Sequence, residues 1–312
     1  VLQRTDDIEA VRHAAASREY DMRRLSYAGT FTNPWTVGTI RSIEWLTAKI
    51  TLLRLIRDFE RKGAPFGPPF WPAAIEQMGI RIDTPPDEIA RIPAKGPLVV
   101  VANHPHGLVD GMVMAEMINR VRSDFKILTR SLLTGIPEIE QFMIPVPFPH
   151  EENSRELGLQ MRAESMAHLK DGGVIILFPA GKVASSGTWF GPAIEPEWNP
   201  FTHKMIMRSG AAVLPIRFTG QNTRFYQIAN KLSATLRQSL LLYEIRKALF
   251  KPQRPFIGEP IEPEELKPWA DNPRSFLAWL RAHTLALGTE AAPTPVSFEP
   301  GLPRVQTGTS PH

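Results

Sequence analysis

Apolar residues along the chain follow two rhythms. In the first, Ile43, Leu46, Ile50, Leu53 and Ile56 recur at steps of three and four, the spacing of one helix face. This predicts a helix over 41–62, with Arg41, Lys49, Arg54, Arg57, Arg61 and Lys62 on its other faces. The Gly- and Pro-rich stretch GAPFGPPFWP (63–72) stops it. A short amphipathic helix near 73–79 and a loop over 82–96 lead into a second unit, where the other rhythm begins. PLVVVAN (97–103), FKILTR (125–130), VIILFP (174–179), AAVLPIRF (211–218) and RPFIGEPI (254–261) are short apolar runs of the kind that form buried strands. Between them lie the helical stretches GMVMAEMINRV (111–121) and SRELGLQMRAESMAHLKDGG (154–173). The second opens on Ser154, keeps helical spacing at Leu157, Met161, Met166 and Leu169, and ends at a Gly–Gly pair. Strands alternating with helices predict an α/β fold, a mixed, largely parallel sheet flanked by helices, with a helical N-terminal segment.

The expected organisation is a poorly ordered arm (1–35), a helical segment (36–90), a principal α/β domain (91–284) and a disordered tail rich in Pro, Thr and Gly (285–312). A chain of 312 residues that is 43% apolar can bury a substantial core, so it is neither collagenous nor globally disordered. With 30 prolines, many must fall in loops and tails. The absence of cysteine excludes disulfides, thiolate catalysis and cysteine-ligated metal sites. A net charge of +4 is too mild to argue for a nucleic-acid partner. The chain has no apolar window long enough to span a bilayer, and its polar first twenty residues lack the core of a secretory signal. The expectation is a cytoplasmic protein, soluble or attached to a membrane surface.

Chemistry concentrates where strands end. Asn103-His104-Pro105-His106-Gly107-Leu108-Val109-Asp110-Gly111 joins the first buried strand to a helix, where functional groups gather in α/β sheets. Pro105 and Gly107 force a turn that can bring His104 back beside the first helical turn, and the helix dipole there favours an ionised Asp110. A carboxylate holding one imidazole nitrogen protonated frees the other as a base. The plainer reading is two loop histidines satisfied by backbone carbonyls; two His and one Asp within seven residues outweigh it. A second stretch, Phe178-Pro179-Ala180-Gly181-Lys182-Val183, also follows a buried strand. Amides around Gly181 could cradle an anion and Lys182 could add charge for a phosphate; the alternative is a simple β-turn with a solvated lysine.

Together these stretches resemble the glycerolipid acyltransferases, the phospholipid acyltransferases related to bacterial lysophosphatidate acyltransferase. VVVANHPHGLVDG resembles the family's first motif, Asn-His, a gap of four, then Asp, though here five residues separate His104 from Asp110. The longer gap is similar to hemolysin-like bacterial members, and HPHG to the diacylglycerol acyltransferase 2 group. IPVPFPHEENSR resembles the second block, in which Arg155 would bind the acceptor. Phe178, Pro179 and Gly181 match a Phe-Pro-Glu-Gly block, with Ala180 in place of Glu. VLPIRFTG (213–220) and IGEPI (257–261) are also similar to family blocks, so the resemblance covers roughly 91–262. It implies transfer of a fatty acyl group from acyl-CoA or acyl-carrier protein to a lysolipid hydroxyl, by default that of lysophosphatidate. The thioester is then a co-substrate, and neither cofactor nor metal is needed. His104 would be the base and Asp110 its partner, with His106 as the rival base. Asn103, Gly107, Arg155, Phe178, Pro179, Gly181 and Lys182 would bind substrate. No acyl-enzyme is required.

A lipid acceptor implies contact with an anionic membrane surface, on the inner face of the cell membrane. Two basic amphipathic stretches suit it, 41–62 and 224–254; the latter sets seven Lys and Arg against Glu244. Two other readings stay open. His104 and His106 with Asp110 could be zinc ligands of a metal-dependent hydrolase, although the spacing departs from the common pattern. Alternatively, the degenerate block at Ala180 would suit a non-catalytic module that binds lipid or acyl-carrier protein.

Overall fold

The run from Leu98 to Val101 is wholly removed from solvent, as a strand covered on both faces must be. It lies at the heart of a computed structural model that describes residues 33–44, 48–129, 136–147 and 153–289. Before it come α1 (Pro34–Glu44), α2 (Ile50–Arg61), α3 (Phe70–Gln77), the two-residue β1 (Arg81–Ile82) and α4 (Pro86–Ile89). β2 (Leu98–Ala102) is followed by α5 (Leu108–Asn119), β3 (Phe125–Thr129), β4 (Met143–Pro145), α6 (Ser154–Lys170) and β5 (Val174–Leu177). A small hairpin of β6 (Ser185–Ser186) and β7 (Ala193–Ile194) precedes α7 (Pro200–Ser209) and β8 (Ala212–Arg217). Next come α8 (Arg224–Leu232), α9 (Ala234–Ser239) and α10 (Leu241–Ala248). β9 (Pro252–Gln253), β10 (Phe256–Ile257), α11 (Pro263–Leu266) and α12 (Pro273–Ala286) complete the described chain.

The main sheet has the order β10-β8-β2-β5-β3-β4 and is parallel throughout except at β10, which runs against β8. It is the mixed, largely parallel sheet expected of the sequence. Register sets Val100 beside Ile176 of β5 on one side and Leu214 of β8 on the other. Alternation along β2 then divides the interior. Leu98, Val100 and Ala102 point into a core closed by α3, α5 and α10; Val99 and Val101 point into a second closed by α6, α7 and α12. Each fully buried Val or Leu contributes about 1.5–3 kcal/mol. Because β2, β5 and β8 are parallel neighbours, the segments leaving their C-terminal ends emerge together at one edge of the sheet.

Several expectations shift. In place of one helix over 41–62 there are α1 and α2, with Leu46 outside the described residues. Leu52, Leu53, Leu55, Ile56 and Phe59 of α2 pack into the core, the expected Leu53 and Ile56 among them, while Ile50 is exposed. Leu52, Leu55, Ile56 and Phe59 also repeat at three and four, so the packed face is wider than the expected row. The helix expected near 73–79 begins at Phe70, because Phe70 and Trp71 are themselves buried against Phe59, Phe125 and Phe142. The last strand shrinks to two residues between Pro255 and Pro260, where Glu88 takes the amide of Ile257 (2.8 Å) and pairs with Arg254. Pro34, Pro86, Pro200, Pro263 and Pro273 open helices rather than occupying loops, a position where the missing N–H costs nothing. Leu285 and Ala286 finish α12, and 290–312 lies outside the described residues. Of the arm over 1–35, residues 1–32 also lie outside them, and Pro34 and Trp35 belong to α1. Among the described residues no helix is long and apolar enough to cross a membrane.

Candidate active site

The end of β2 is fastened before the loop begins. The Asn103 amide donates to the Phe218 carbonyl (2.9 Å) and accepts the Phe218 amide (2.7 Å), so it ties β2 to the end of β8. Its buried side chain acts on the scaffold, where substrate contact had been expected. Gly107 then turns the chain into α5 with φ +81° and ψ −128°, a conformation open to glycine, and a Cβ there would meet Val183 at 3.4 Å. The turn returns both imidazoles to the first turn of α5.

Asp110, with no exposed surface, receives them. His104 Nδ1 donates to Oδ2 at 3.1 Å and His106 Nδ1 donates to Oδ1 at 3.0 Å. The amides of His106 (2.8 Å) and Gly107 (3.1 Å) also donate to Oδ2. Burial alone would raise the pKa of this carboxyl, but the charge of His106 and the hydrogen bonds from His104 and His106 outweigh it and hold the pKa at about 2. Burial likewise opposes a charged His106, yet the charge and hydrogen bond of Asp110, helped by Glu244, raise its pKa above the ordinary 6.5. An ionised carboxylate can only accept, so both rings carry hydrogen on Nδ1 and turn Nε2 away from Asp110.

The two rings differ in their surroundings. His104 stacks on Phe178, with centroids 3.9 Å apart and planes at 24°. Its carbonyl accepts the Ala184 amide at 2.8 Å, and its amide donates to Glu195 Oε2 at 3.1 Å. His106 instead lies against Gly220, where a Cβ would come within 3.0 Å of Nε2.

Glu195 was not legible in the sequence. It is buried just after β7, takes the Trp198 indole N–H on Oε1 (3.2 Å), and has its pKa raised by burial despite these bonds. The Arg281 guanidinium holds its backbone carbonyl. With Ala180 in the second turn, Glu195 is the carboxylate that reaches the backbone of His104. Its sequence neighbourhood, Ile194-Glu195-Pro196-Glu197, carries no signal.

The expected residues after β5 divide. Phe178 joins the site through its stack on His104, while the Pro179 carbonyl accepts the Asn199 amide (2.9 Å). Gly181 has φ +65°, and its amide donates to the Phe178 carbonyl at 2.9 Å, closing a β-turn. That amide is therefore committed, and the plainer reading of this turn describes Gly181. Lys182 is exposed beside it. Arg155 is exposed in the first turn of α6, beyond β4 at the far edge of the sheet, and makes no described contact with the His–Asp cluster. Among the described residues no three His, Asp or Glu side chains are grouped to hold a metal ion, and the Nδ1 atoms of His104 and His106 face Asp110.

A buried carboxylate orienting imidazoles whose second nitrogens turn away from it is an arrangement for taking a proton from a hydroxyl. In comparisons with known proteins, a family model described as acyltransferase matches residues 70–259, which spans β2, the His–Asp loop, β5 and β8. Among solved structures, the chain is similar to the 1-acyl-sn-glycerophosphate (LPA) acyltransferase PlsC of Thermotoga maritima. The identity is 17%, the match covers 78% of this chain and 88% of that one, and the TM-score is 0.41. No protein of curated function matches the chain.

Proposed function

The chain belongs to the acyltransferase family, and from that premise we propose that it acylates the hydroxyl of a lysophospholipid in phospholipid biosynthesis. The acyl donor is a thioester of coenzyme A or of acyl-carrier protein, and the acceptor is lysophosphatidate or a related lysolipid. The observation that carries this reading is the buried, ionised Asp110 accepting from the Nδ1 atoms of His104 and His106. In the reaction, His104 Nε2 takes the acceptor's hydroxyl proton while the oxygen attacks the thioester carbonyl. The tetrahedral intermediate collapses, the C–S bond breaks, and the proton on His104 passes to the departing thiolate. Asp110 stabilises the imidazolium between these steps, and no covalent enzyme intermediate forms. Lys182, exposed beside the site, supplies charge for the acceptor's phosphate. A lysolipid acceptor makes this a peripheral enzyme on the inner face of the cell membrane, held by the basic surfaces of its helices.

His104 is assigned as base because it stacks on Phe178 next to the Gly181 turn. A second assignment, His106, has support in the raised proton affinity of that ring. The experiment is formation of acylated product from acyl-CoA over a lysolipid panel, with His104→Ala and His106→Ala beside the parent. Loss of about 10²–10⁴-fold in His104→Ala, against a smaller loss in His106→Ala, supports the assignment. The reverse order transfers the role to His106. Absence of acylated product from every lysolipid, with either donor, removes the proposal.

A further inference from the structure

The small hairpin β6–β7 carries a feature the catalytic reading leaves unexplained. Its tip exposes Trp189 (49%) and Phe190 (79%), and the neighbouring α8 exposes Phe225 (69%) and Leu232 (62%). Phe225 and Leu232 are seven residues apart and so share one face of α8. Beside them, Arg224 and Lys231 share the adjoining stripe and reach across to the hairpin, Arg224 to the Phe190 carbonyl and Lys231 to the Gly187 carbonyl. Those two contacts place the apolar stripe of α8 along the hairpin. The cations are bonded to neutral acceptors, and Arg237 of α9 to the Asn230 amide oxygen (3.0 Å), so their charge is not cancelled there. No acidic residue occurs from Val183 to Ile194 or from Arg224 to Ser239. Exposed aromatics flanked by uncompensated cations fit the interface of an anionic bilayer.

Both legs of this hairpin hold the catalytic loop. Ala184, immediately before β6, donates its amide to the His104 carbonyl (2.8 Å), and Glu195, immediately after β7, accepts the His104 amide (3.1 Å). Trp189 is five positions beyond Ala184, so the tip lies no more than about 18 Å of chain from the residue hydrogen-bonded to His104. We propose that the β6–β7 hairpin and the exposed face of α8 form the membrane-docking surface, which seats an anionic bilayer beside His104 so that a lysolipid reaches the site from the membrane. The proposal rests on the reading that the acceptor is a lipid; its α8 face lies within the basic stretch 224–254 already expected to meet a membrane, and the β6–β7 hairpin and the link to His104 are what it adds.

The test is co-sedimentation of the full chain with mixed phosphatidylglycerol–phosphatidylcholine vesicles and with pure phosphatidylcholine vesicles, beside the W189S/F190S double variant. Circular dichroism melting shows that the variant is folded. The expected result is binding to the mixed vesicles that weakens with salt, and a partition constant about a hundredfold lower in the variant. Turnover of a vesicle-borne acceptor falls in parallel, while turnover of a short-chain, monomeric acceptor stays at the parent's rate. Equal vesicle binding by parent and variant overturns the proposal, as does failure of the parent to bind either vesicle. A parent that light scattering shows to be dimeric through these residues, with the variant monomeric and equally vesicle-bound, overturns it in favour of a second copy. Vesicle binding that depends on Trp189 and Phe190, without turnover of any acceptor, keeps the docking surface and removes the acyltransferase reading instead.

Discussion

Replacing Asp110 by Asn tests the geometry of the site most severely. Asp110 accepts four hydrogen bonds, three on Oδ2 (from His104 Nδ1, the His106 amide and the Gly107 amide) and one on Oδ1 (from His106 Nδ1). Asparagine has one accepting oxygen. Set at the Oδ2 position, it keeps three donors satisfied and turns its NH₂ toward His106 Nδ1. That ring must then move its proton to Nε2, while His104 keeps its orientation but loses the charge that stabilises its imidazolium. A native pKa of about 2 against the ordinary 3.8 corresponds to about 2 kcal/mol contributed by the ionised form. The carboxyl's pKa is depressed in the fold, so this stability is complete above about pH 4 and is lost as pH falls toward 2. Asp110→Asn is expected to melt about 4–8 °C below the parent at neutral pH, with the gap closing on acidification. Thiol release should fall about 10²–10⁴-fold, mostly in kcat, since the charge matters once His104 is protonated. A variant with the parent's melting temperature and more than about half its rate would refute the reasoning.

Asn103→Ala removes both bonds to Phe218 from a buried site and is expected to cost about 1–3 kcal/mol in chemical denaturation. An unchanged midpoint would show that the tie between β2 and β8 is dispensable. Gly107→Ala forces a side chain into φ +81° against Val183 and should lower both stability, by about 1–3 kcal/mol, and turnover; parental values for both would contradict the strained turn. Glu195→Gln leaves one of two buried donors, the His104 amide or the Trp198 indole, facing an NH₂ group, and is expected to slow turnover about tenfold with little change in KM. Burial raises the Glu195 pKa above 4.5, so its ionisation works against the fold. The parent's stability advantage over Glu195→Gln is therefore full below about pH 4.5 and narrows as pH rises through the raised native pKa; a widening gap in pH-dependent melts would refute that account.

The sheet was legible because β2 and β5 are buried on both faces and read as unbroken apolar runs. The His–Asp loop was legible because its residues are adjacent in sequence. Where legibility failed, partners are far apart in the chain. Glu195 reaches His104 across 91 positions, and Asn103 reaches Phe218 across 115, with no local pattern announcing either bond. α7 and α12, which open on Pro, were not read from the sequence at all. The α2 face was read too narrowly, because Leu52, Leu55 and Phe59 repeat at the same period beside the expected Leu53 and Ile56. Nothing in the sequence singled out Trp189 and Phe190; what sets them apart is exposure, which only the folded chain reveals.

The most direct test of the central claim is thiol release from long-chain acyl-CoA by the purified chain, with and without lysophosphatidate, beside His104→Ala. Release that requires the acceptor, yields an acylated lipid and disappears in the variant is the predicted result. Release that ignores the acceptor would make the protein a thioester hydrolase. Acceptor-dependent release that persists in His104→Ala would contradict the role assigned to the imidazole that Asp110 holds.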